Sequence, residues 1–347
     1  MRAVAAMWVA TYHTADYFHK MGGNEFLFRL FKTGWVGVDI FFVLSGFIMW
    51  YTTREDTQAG PFIIKRLTRI YTALWPAVAL FVLFGFISGA GRPMDWSTML
   101  SSITLLNVDP YAKGMYLYVT WTLTFELAFY VAFGLLLWLG RSRAPIVAII
   151  VVILIETAIY LNEKAGASFP RLIADRLVYE FIIGAIAAAV ARQALSAWTM
   201  RLCLILSAAL LAAGIYTTGW MGMERPNAIL FFGGATGLFL IGFREAERAL
   251  DNLPGRAVAK SGDWSYAMYL IHPAIIYMTQ IDAFRWKVGT AFGPWPVTIL
   301  FVCLVIVLSW GYYRVIEKPA LRISRQIFFR KRKPTLQPSQ YSPTRTP

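Results

Sequence analysis

Charge is scarce in this chain: Asp, Glu, Lys and Arg make up 15% of its 347 residues, where soluble domains carry about 25%. With 58% hydrophobic residues and a mean hydropathy of +0.54, that shortage excludes intrinsic disorder, a fibrous repeat and an ordinary water-soluble enzyme. Cysteine is nearly absent. Cys203 and Cys303 lie far apart in apolar stretches and support neither a disulfide framework nor a metal site. The sequence also lacks an internal repeat and any stretch that fits a separate soluble domain. Aromatic residues are plentiful, 16% with 13 Trp and 17 Tyr, which suits many positions at a membrane interface. The composition is that of an all-α, polytopic membrane protein.

A helix crosses the hydrocarbon with roughly 20 apolar residues. Ten segments qualify: 2–18, 35–52, 70–88, 116–139, 144–161, 177–195, 201–218, 227–243, 264–282 and 295–316. The eighth is the weakest, because Gly233, Gly234 and Gly237 lower helix propensity, although small residues also let membrane helices pack closely. Arg2 before an apolar run imitates a signal peptide. No small-x-small cleavage site follows, and His13 and Asp16 interrupt the run, so a retained helix is expected. The longest loop, 89–115, holds Gly91, Pro93, Asn107, Asp109 and Pro110 and reads as turns. The chain divides into a transmembrane domain, 1–325, and a basic tail, 326–347. Within that tail Arg330 to Lys333 is expected on anionic headgroups, and the Pro/Ser/Thr-rich end is expected to be disordered.

The net charge of +14 is spread over short loops rather than over one continuous face, so nucleic acid is not an expected partner. Most Lys and Arg fall on the side that holds both termini and the loops after even-numbered spans. That asymmetry places both termini in the cytoplasm.

A charged side chain at the bilayer centre costs at least about 2.5 kcal/mol, so each one requires a reason. Counting helix rise, His13 lies roughly 16 Å beyond Arg2, and Glu126 roughly 15 Å from the outer end of the fourth span. His272 lies roughly 12 Å from the cytoplasmic end of the ninth. A second set, Arg2, Lys65, Arg66, Arg69 and Glu317, gathers at the cytoplasmic mouth. Lys65, Arg66 and Arg69 share one helix face, which suits either a phosphate-rich ligand or a positive-inside anchor. Blander readings stand beside these: an interhelical hydrogen bond for His13, a structural ion pair for Glu126, and a cap on the second span for Asp39. His272, next to Pro273, fills a gap at a kink on such a reading. Glu156 and Glu180 have no evident partner, and His19 is a loop residue.

A midplane histidine with an acidic neighbour is the minimal apparatus for general-base catalysis on a hydroxyl. Neutral imidazole takes the proton as the oxygen attacks a thioester carbonyl, and a carboxylate on the other ring nitrogen fixes the tautomer. A basic mouth suits the phosphates of coenzyme A. Midplane charges also mark transport pathways, so a transporter of acyl groups, lipids or glycans stands as an alternative. A purely structural membrane subunit is a third reading.

Six blocks follow one another along the sequence. They are RAVAAMWVATYH, with Arg2-x10-His13; GWVGVDIFFVLSGF from Gly34, with Asp39 and Ser45; and KRLTRIY, with Lys65, Arg66 and Arg69. After these come WTLTFELAFY, with Trp121, Glu126 and Tyr130; GDWSYAMYLIHP from Gly262, with Tyr269 and His272; and EKP from Glu317. In order and spacing, from Arg2 to Pro319, the chain resembles the membrane-bound acyltransferase 3 family, and most of all its exopolysaccharide O-acyltransferase branch. The resemblance implies ten core transmembrane helices in a bacterial inner membrane. It implies transfer of an acyl group, commonly acetyl, from cytoplasmic acetyl-CoA or another acyl-CoA, without a metal, to a hydroxyl of a glycan or lipid-linked sugar. Arg2 and His13 match the family's signature pair, Arg66 and Arg69 its basic pair on the third helix, and Glu126 the acid of its tryptophan motif. Lys65, Asp39, Ser45, Trp121, Tyr130, Tyr269, His272 and Glu317 are further candidates. Membrane lipids and polysaccharide-assembly proteins are the other expected partners. Two departures stand out: Trp121-Thr-Leu where Trp-Ser-Leu is commoner, and Arg2 directly after Met1 where relatives usually carry several residues. The C-terminal hydrolase-like domain of some relatives has no counterpart here, so a second catalytic step is expected from another protein.

Overall fold

A computed structural model describes residues 1–20, 28–29, 31–89, 93, 95–107, 114–219, 225–250, 260–278 and 294–328. The described elements are all helical: α1 (Arg2–Lys20), α2 (Val36–Thr52), α3 (Ala59–Ser88), α4 (Trp96–Thr104), α5 (Trp121–Leu139) and α6 (Ala144–Lys164). They continue with α7 (Val178–Ala191), α8 (Ala197–Gly219), α9 (Arg225–Leu250), α10 (Ser265–Met278), α11 (Pro294–Tyr312) and α12 (Lys318–Phe328). Among the described residues, six stretches, Lys32–Thr52, Ala59–Ser88, Tyr118–Leu139, Arg141–Lys164, Ala197–Thr218 and Ile299–Phe328, are long and apolar enough to cross a membrane. Val178–Ala191 and Phe231–Phe243 are apolar but shorter. The basic and Pro/Ser/Thr-rich tail beyond 328, and Gly91, Asp109 and Pro110 of the long loop, lie outside the described residues.

Exposure identifies the solvent. On α6, Ile146, Ile149 and Ile153 stand 61%, 60% and 58% exposed in one stripe, an arrangement that costs in water and suits acyl chains. The packed core instead joins α1, α2, α3, α5 and α10 through Val9, Phe42, Leu74, Phe81, Phe125 and Leu270. The chain is therefore a multi-pass membrane protein, and α7 and α11 add Phe181, Phe301 and Val305 to the same core.

Close helix crossings hold that centre. A Cβ on Gly46 of α2 would overlap the backbone carbonyl of Phe181, and one on Gly184 of α7 would overlap that of Val43. The two helices thus touch backbone to backbone, as small residues permit in a membrane. On α9 the glycines that weaken its propensity meet α7 instead: a Cβ on Gly233 would come 3.2 Å from Ile183 Cδ1, and one on Gly237 2.9 Å from its Cγ2.

Helix ends show why some loop arginines stand where they do. Arg141 donates to Thr53 O at 2.6 Å and Trp50 O at 3.2 Å, while its guanidinium lies 4.1 Å from the Trp50 ring centroid. Arg192 donates to Tyr51 O at 2.6 Å and Trp50 O at 3.3 Å. Both satisfy carbonyls at the C-terminus of α2, where the helix dipole favours cations. Arg141→Ala is expected to lower stability by about 1–2 kcal/mol, measurable as an earlier thermal unfolding transition in detergent. Glu156, left without a partner by sequence, receives Arg176 Nε and Nη2 at 2.9 Å each and the Tyr179 hydroxyl at 2.7 Å, tying the 165–177 connection to α6.

Three elements depart from expectation. The third span begins at Ala59 rather than near 70, because Lys65, Arg66 and Arg69 are good helix formers and extend it outward. Asp39 does not cap α2: a 3-10 turn at Lys32–Trp35 leads into the helix, Trp35 holds the cap position, and Asp39 is buried one turn inside. The loop read as turns contains α4, whose N-cap Asp95 accepts from Ser97 N at 3.3 Å and Thr98 N at 3.2 Å. The Ser97 hydroxyl and these amides hold the Asp95 carboxyl below its ordinary range, so the cap weakens only as pH falls through that lowered value.

Helix α4 turns back along α3. The Tyr71 hydroxyl donates to Thr104 O at 2.6 Å, and Trp75 Nε1 to Ile103 O at 3.2 Å. Tyr71 lies about 25 Å of helix rise before Ser88, where α3 ends, so α4 is re-entrant, and its last carbonyls are satisfied by protein rather than water. The chain accordingly starts α5 from within the bundle, with the Tyr118 and Phe81 ring centroids 6.5 Å apart.

Candidate functional site

Helix α1 carries one functional candidate at its first residue and another three turns on. A Cβ on Gly37 of α2 would overlap Ala5 O, and this approach seats α1 in the core. Arg2 lines a cavity of about 580 Å³ with Lys65, Arg66 and Arg69 of α3, Glu317 of the π turn and Arg325 of α12. Asp263 also borders it, which leaves five cations against two carboxylates. Within it the Nε atoms of Arg2 and Arg66 are buried without a hydrogen-bond partner among the described residues. Buried donors of this kind require an acceptor, and guanidinium groups match phosphate best.

Glu126 stands at this end of the protein. Its carboxylate accepts from Ser45 Oγ at 3.5 Å and from the Tyr130 hydroxyl, while the Arg66 guanidinium lies 5.5 Å from the Tyr130 ring centroid. A narrow second cavity of about 30 Å³ is lined by Arg2, Ser45, Thr122, Glu126, Tyr266 and Tyr269 among others. Arg2 borders both spaces, so the two lie on either side of its side chain.

His13 stands farther in, among aromatic rings. Its ring centroid lies 5.0 Å from Tyr12, 5.2 Å from Tyr118 and 5.3 Å from His272, the last in a stacked arrangement. His272 is fully buried, with Nδ1 3.3 Å from Met268 O. A carbonyl only accepts, so Nδ1 donates in this geometry, which leaves Nε2 as the acceptor of the neutral ring. That Nε2 has no partner among the described residues. Tyr269 connects the two regions: its ring lies 5.9 Å from His272, and its hydroxyl bonds Thr122 Oγ1 at 2.8 Å and Val119 O at 3.0 Å, with Thr122 one turn before Glu126.

The structure thus brings His13 together with His272, and gathers Arg2, Lys65, Arg66, Arg69, Ser45, Glu126, Tyr130 and Glu317 around the mouth. The sequence reading placed Glu126 at the depth of His13 by counting from an outer end at 116. Because α4 re-enters and α5 starts inside the bundle, that count overstates its distance from the mouth. Trp121 packs edge-on to Phe125 at 6.0 Å and belongs to the core of α5. Arg325 was missed, since the apolar run ends before it and only the helix beyond brings it back.

A family model for an acyltransferase domain matches residues 1–314. The exopolysaccharide production protein ExoZ of Rhizobium meliloti (strain 1021) is 27% identical over 85% of this chain and 92% of its own length. The acyltransferase MdmB of Streptomyces mycarofaciens is 24% identical, over 93% of this chain and 90% of its own. Nodulation protein 10 of Rhizobium leguminosarum bv. viciae is 25% identical, over 95% and 94%. No solved structure matches the chain. The all-helical membrane fold and the match along nearly the whole sequence agree, and the chain belongs to the acyltransferase 3 family of membrane O-acyltransferases.

Proposed function

We propose that this protein moves an acyl group, acetyl first among the candidates, from cytoplasmic acyl-CoA to a hydroxyl of an exopolysaccharide or other surface glycan. The observation that carries the reading is the cationic mouth, with buried donors on Arg2 and Arg66 that have no partner among the described residues; Tyr269, which lines the narrow cavity beside Arg2, lies 5.9 Å from His272, which stacks on His13. The protein sits in a bacterial inner membrane with ten spans, both termini and the mouth cytoplasmic. Residues 1–325 form the catalytic domain and 326–347 a basic tail.

The coenzyme A phosphates bind Arg2, Lys65, Arg66 and Arg69, and the thioester reaches inward past Ser45 and Tyr269. His13 accepts the proton of the acceptor hydroxyl as its oxygen forms the new bond to the acyl carbon. The carbon–sulfur bond breaks, and the coenzyme A thiolate leaves and is protonated. His272 stacks on His13 and limits its orientations, and its Nε2 offers an acceptor to a sugar hydroxyl beside it. Glu126 keeps Tyr130 and Arg2 in place at the inner edge of the mouth. His13 as a transient acyl carrier would follow the same geometry in two steps.

Membranes containing the protein, given radiolabelled acetyl-CoA and polysaccharide, are expected to place label on sugar. Arg66→Ala is expected to raise the KM for acyl-CoA about 10–100-fold, with a smaller effect on kcat. Label that never reaches sugar from any acyl-CoA, with folded protein present, overturns the reading.

A further inference from the structure

Two helices are longer than the hydrocarbon requires. Helix α3 has 30 residues and the continuous stretch Ile299–Phe328 another 30, each about 45 Å against a core of about 30 Å. Helix α11 alone, with 19 residues, fills about 28 Å. It ends near Trp310, whose ring lies 5.4 Å from the Arg314 guanidinium, an aromatic and basic pair of the kind that marks the interface. Helix α12 therefore lies beyond the hydrocarbon, at headgroup level. It packs against α3, and the overhangs of the two helices meet at the mouth, where Lys65, Arg66 and Arg69 face a wall that includes Leu321 and Arg325.

Helix α12 is strongly two-sided. Lys318, Arg322 and Arg325, spaced at i, i+4 and i+7, share one face. Ile323 and Ile327 stand 57% and 67% exposed on the other side, while Ser324 is buried against the protein. This apolar side continues the exposed surface of the preceding span, with Trp310 51% and Val315 74% exposed. Continuity with a lipid-facing surface and basic residues opposite fit one occupant, the boundary between acyl chains and headgroups.

We infer that α12 is an amphipathic helix bedded in the headgroup layer, and that its lipid contact holds Arg325 at the mouth as a further residue binding the phosphates of the acyl donor. None of the six sequence blocks includes this residue. The inference rests on the acyl-CoA reading of the mouth, and it adds a wall to that site that depends on the bilayer.

The test is binding of coenzyme A itself, by calorimetry, to full-length protein in nanodiscs of neutral and of anionic lipid. Arg325→Ala is expected to weaken binding about tenfold in both bilayers, Arg325→Lys less, and Arg322→Ala, which does not line the mouth, not measurably. Ile323→Ser with Ile327→Ser is expected to weaken it like Arg325→Ala, because the arginine is no longer held. Unchanged unfolding temperatures show that each variant keeps its fold. If wild type binds and Arg325→Ala binds equally well, the inference fails while the mouth stands. A loss confined to anionic bilayers assigns the arginine to lipid phosphate and also overturns it. If wild type binds no coenzyme A in either bilayer, the acyl-CoA reading itself fails.

Discussion

Replacing His13 with alanine lowers acyl transfer by about 100-fold or more, while the protein still inserts, folds and binds coenzyme A. The reason is a division of labour along α1. The cationic groups proposed to bind the donor's phosphates collect around Arg2 and the mouth, and His13 stands about 16 Å of helix rise away, against His272 and Tyr118. On the proposed function, loss of the imidazole removes the base and leaves donor binding alone, so kcat is expected to fall while KM for acyl-CoA barely moves. The measurement is initial-rate kinetics of labelled acetyl transfer beside calorimetric binding of coenzyme A. Loss of donor binding together with transfer would place His13 in the mouth and break the assignment. Acylation of wild-type protein in the absence of acceptor separates a carrier role from a base.

The second large effect falls on the fold. Gly184→Ala forces its Cβ onto Val43 O, and Gly46→Ala forces one onto Phe181 O. Backbone cannot move aside as a flexible side chain can, so each change separates α2 from α7 and costs about 3 kcal/mol or more. Gly311→Ala on α11, where nothing among the described residues lies within 4 Å of the added carbon, serves as the control and is expected to be neutral to slightly stabilising. Yield of folded protein and unfolding temperature in detergent read the difference. Equal behaviour of Gly184→Ala and Gly311→Ala would show that the α2–α7 crossing is looser than described.

Membrane class and helix positions were legible because hydrophobic runs report the solvent directly: each of the ten segments falls on α1–α3 or α5–α11 at least in part. The Arg2 and His13 spacing was also legible, since both lie on one continuous helix. What the sequence hid depends on the path of the chain in space. Helix α4 was read as turns because its nine residues are too short to announce a span, although Asp95 ahead of Ser97 and Thr98 was a usable capping signal. Its re-entry moved the start of α5 inward, and with it Glu126 toward Arg2. The stacking of His272 on His13 joins residues of α1 and α10, and no one-dimensional period encodes such a contact. Helix α12 was hidden by its own mixture, since a search for apolar runs passes over alternating arginine and isoleucine.

The central claim is that acyl-CoA enters from the cytoplasmic mouth and that its acyl group leaves on a sugar by way of His13. Sealed membrane vesicles of both orientations, given labelled acetyl-CoA outside and acceptor polysaccharide on both sides, test it most directly. Inverted vesicles, which expose the mouth, are expected to label the polysaccharide with wild-type protein and not with His13→Ala, while right-side-out vesicles stay unlabelled. Labelling from right-side-out vesicles, or equal labelling by His13→Ala in inverted ones, would contradict the account.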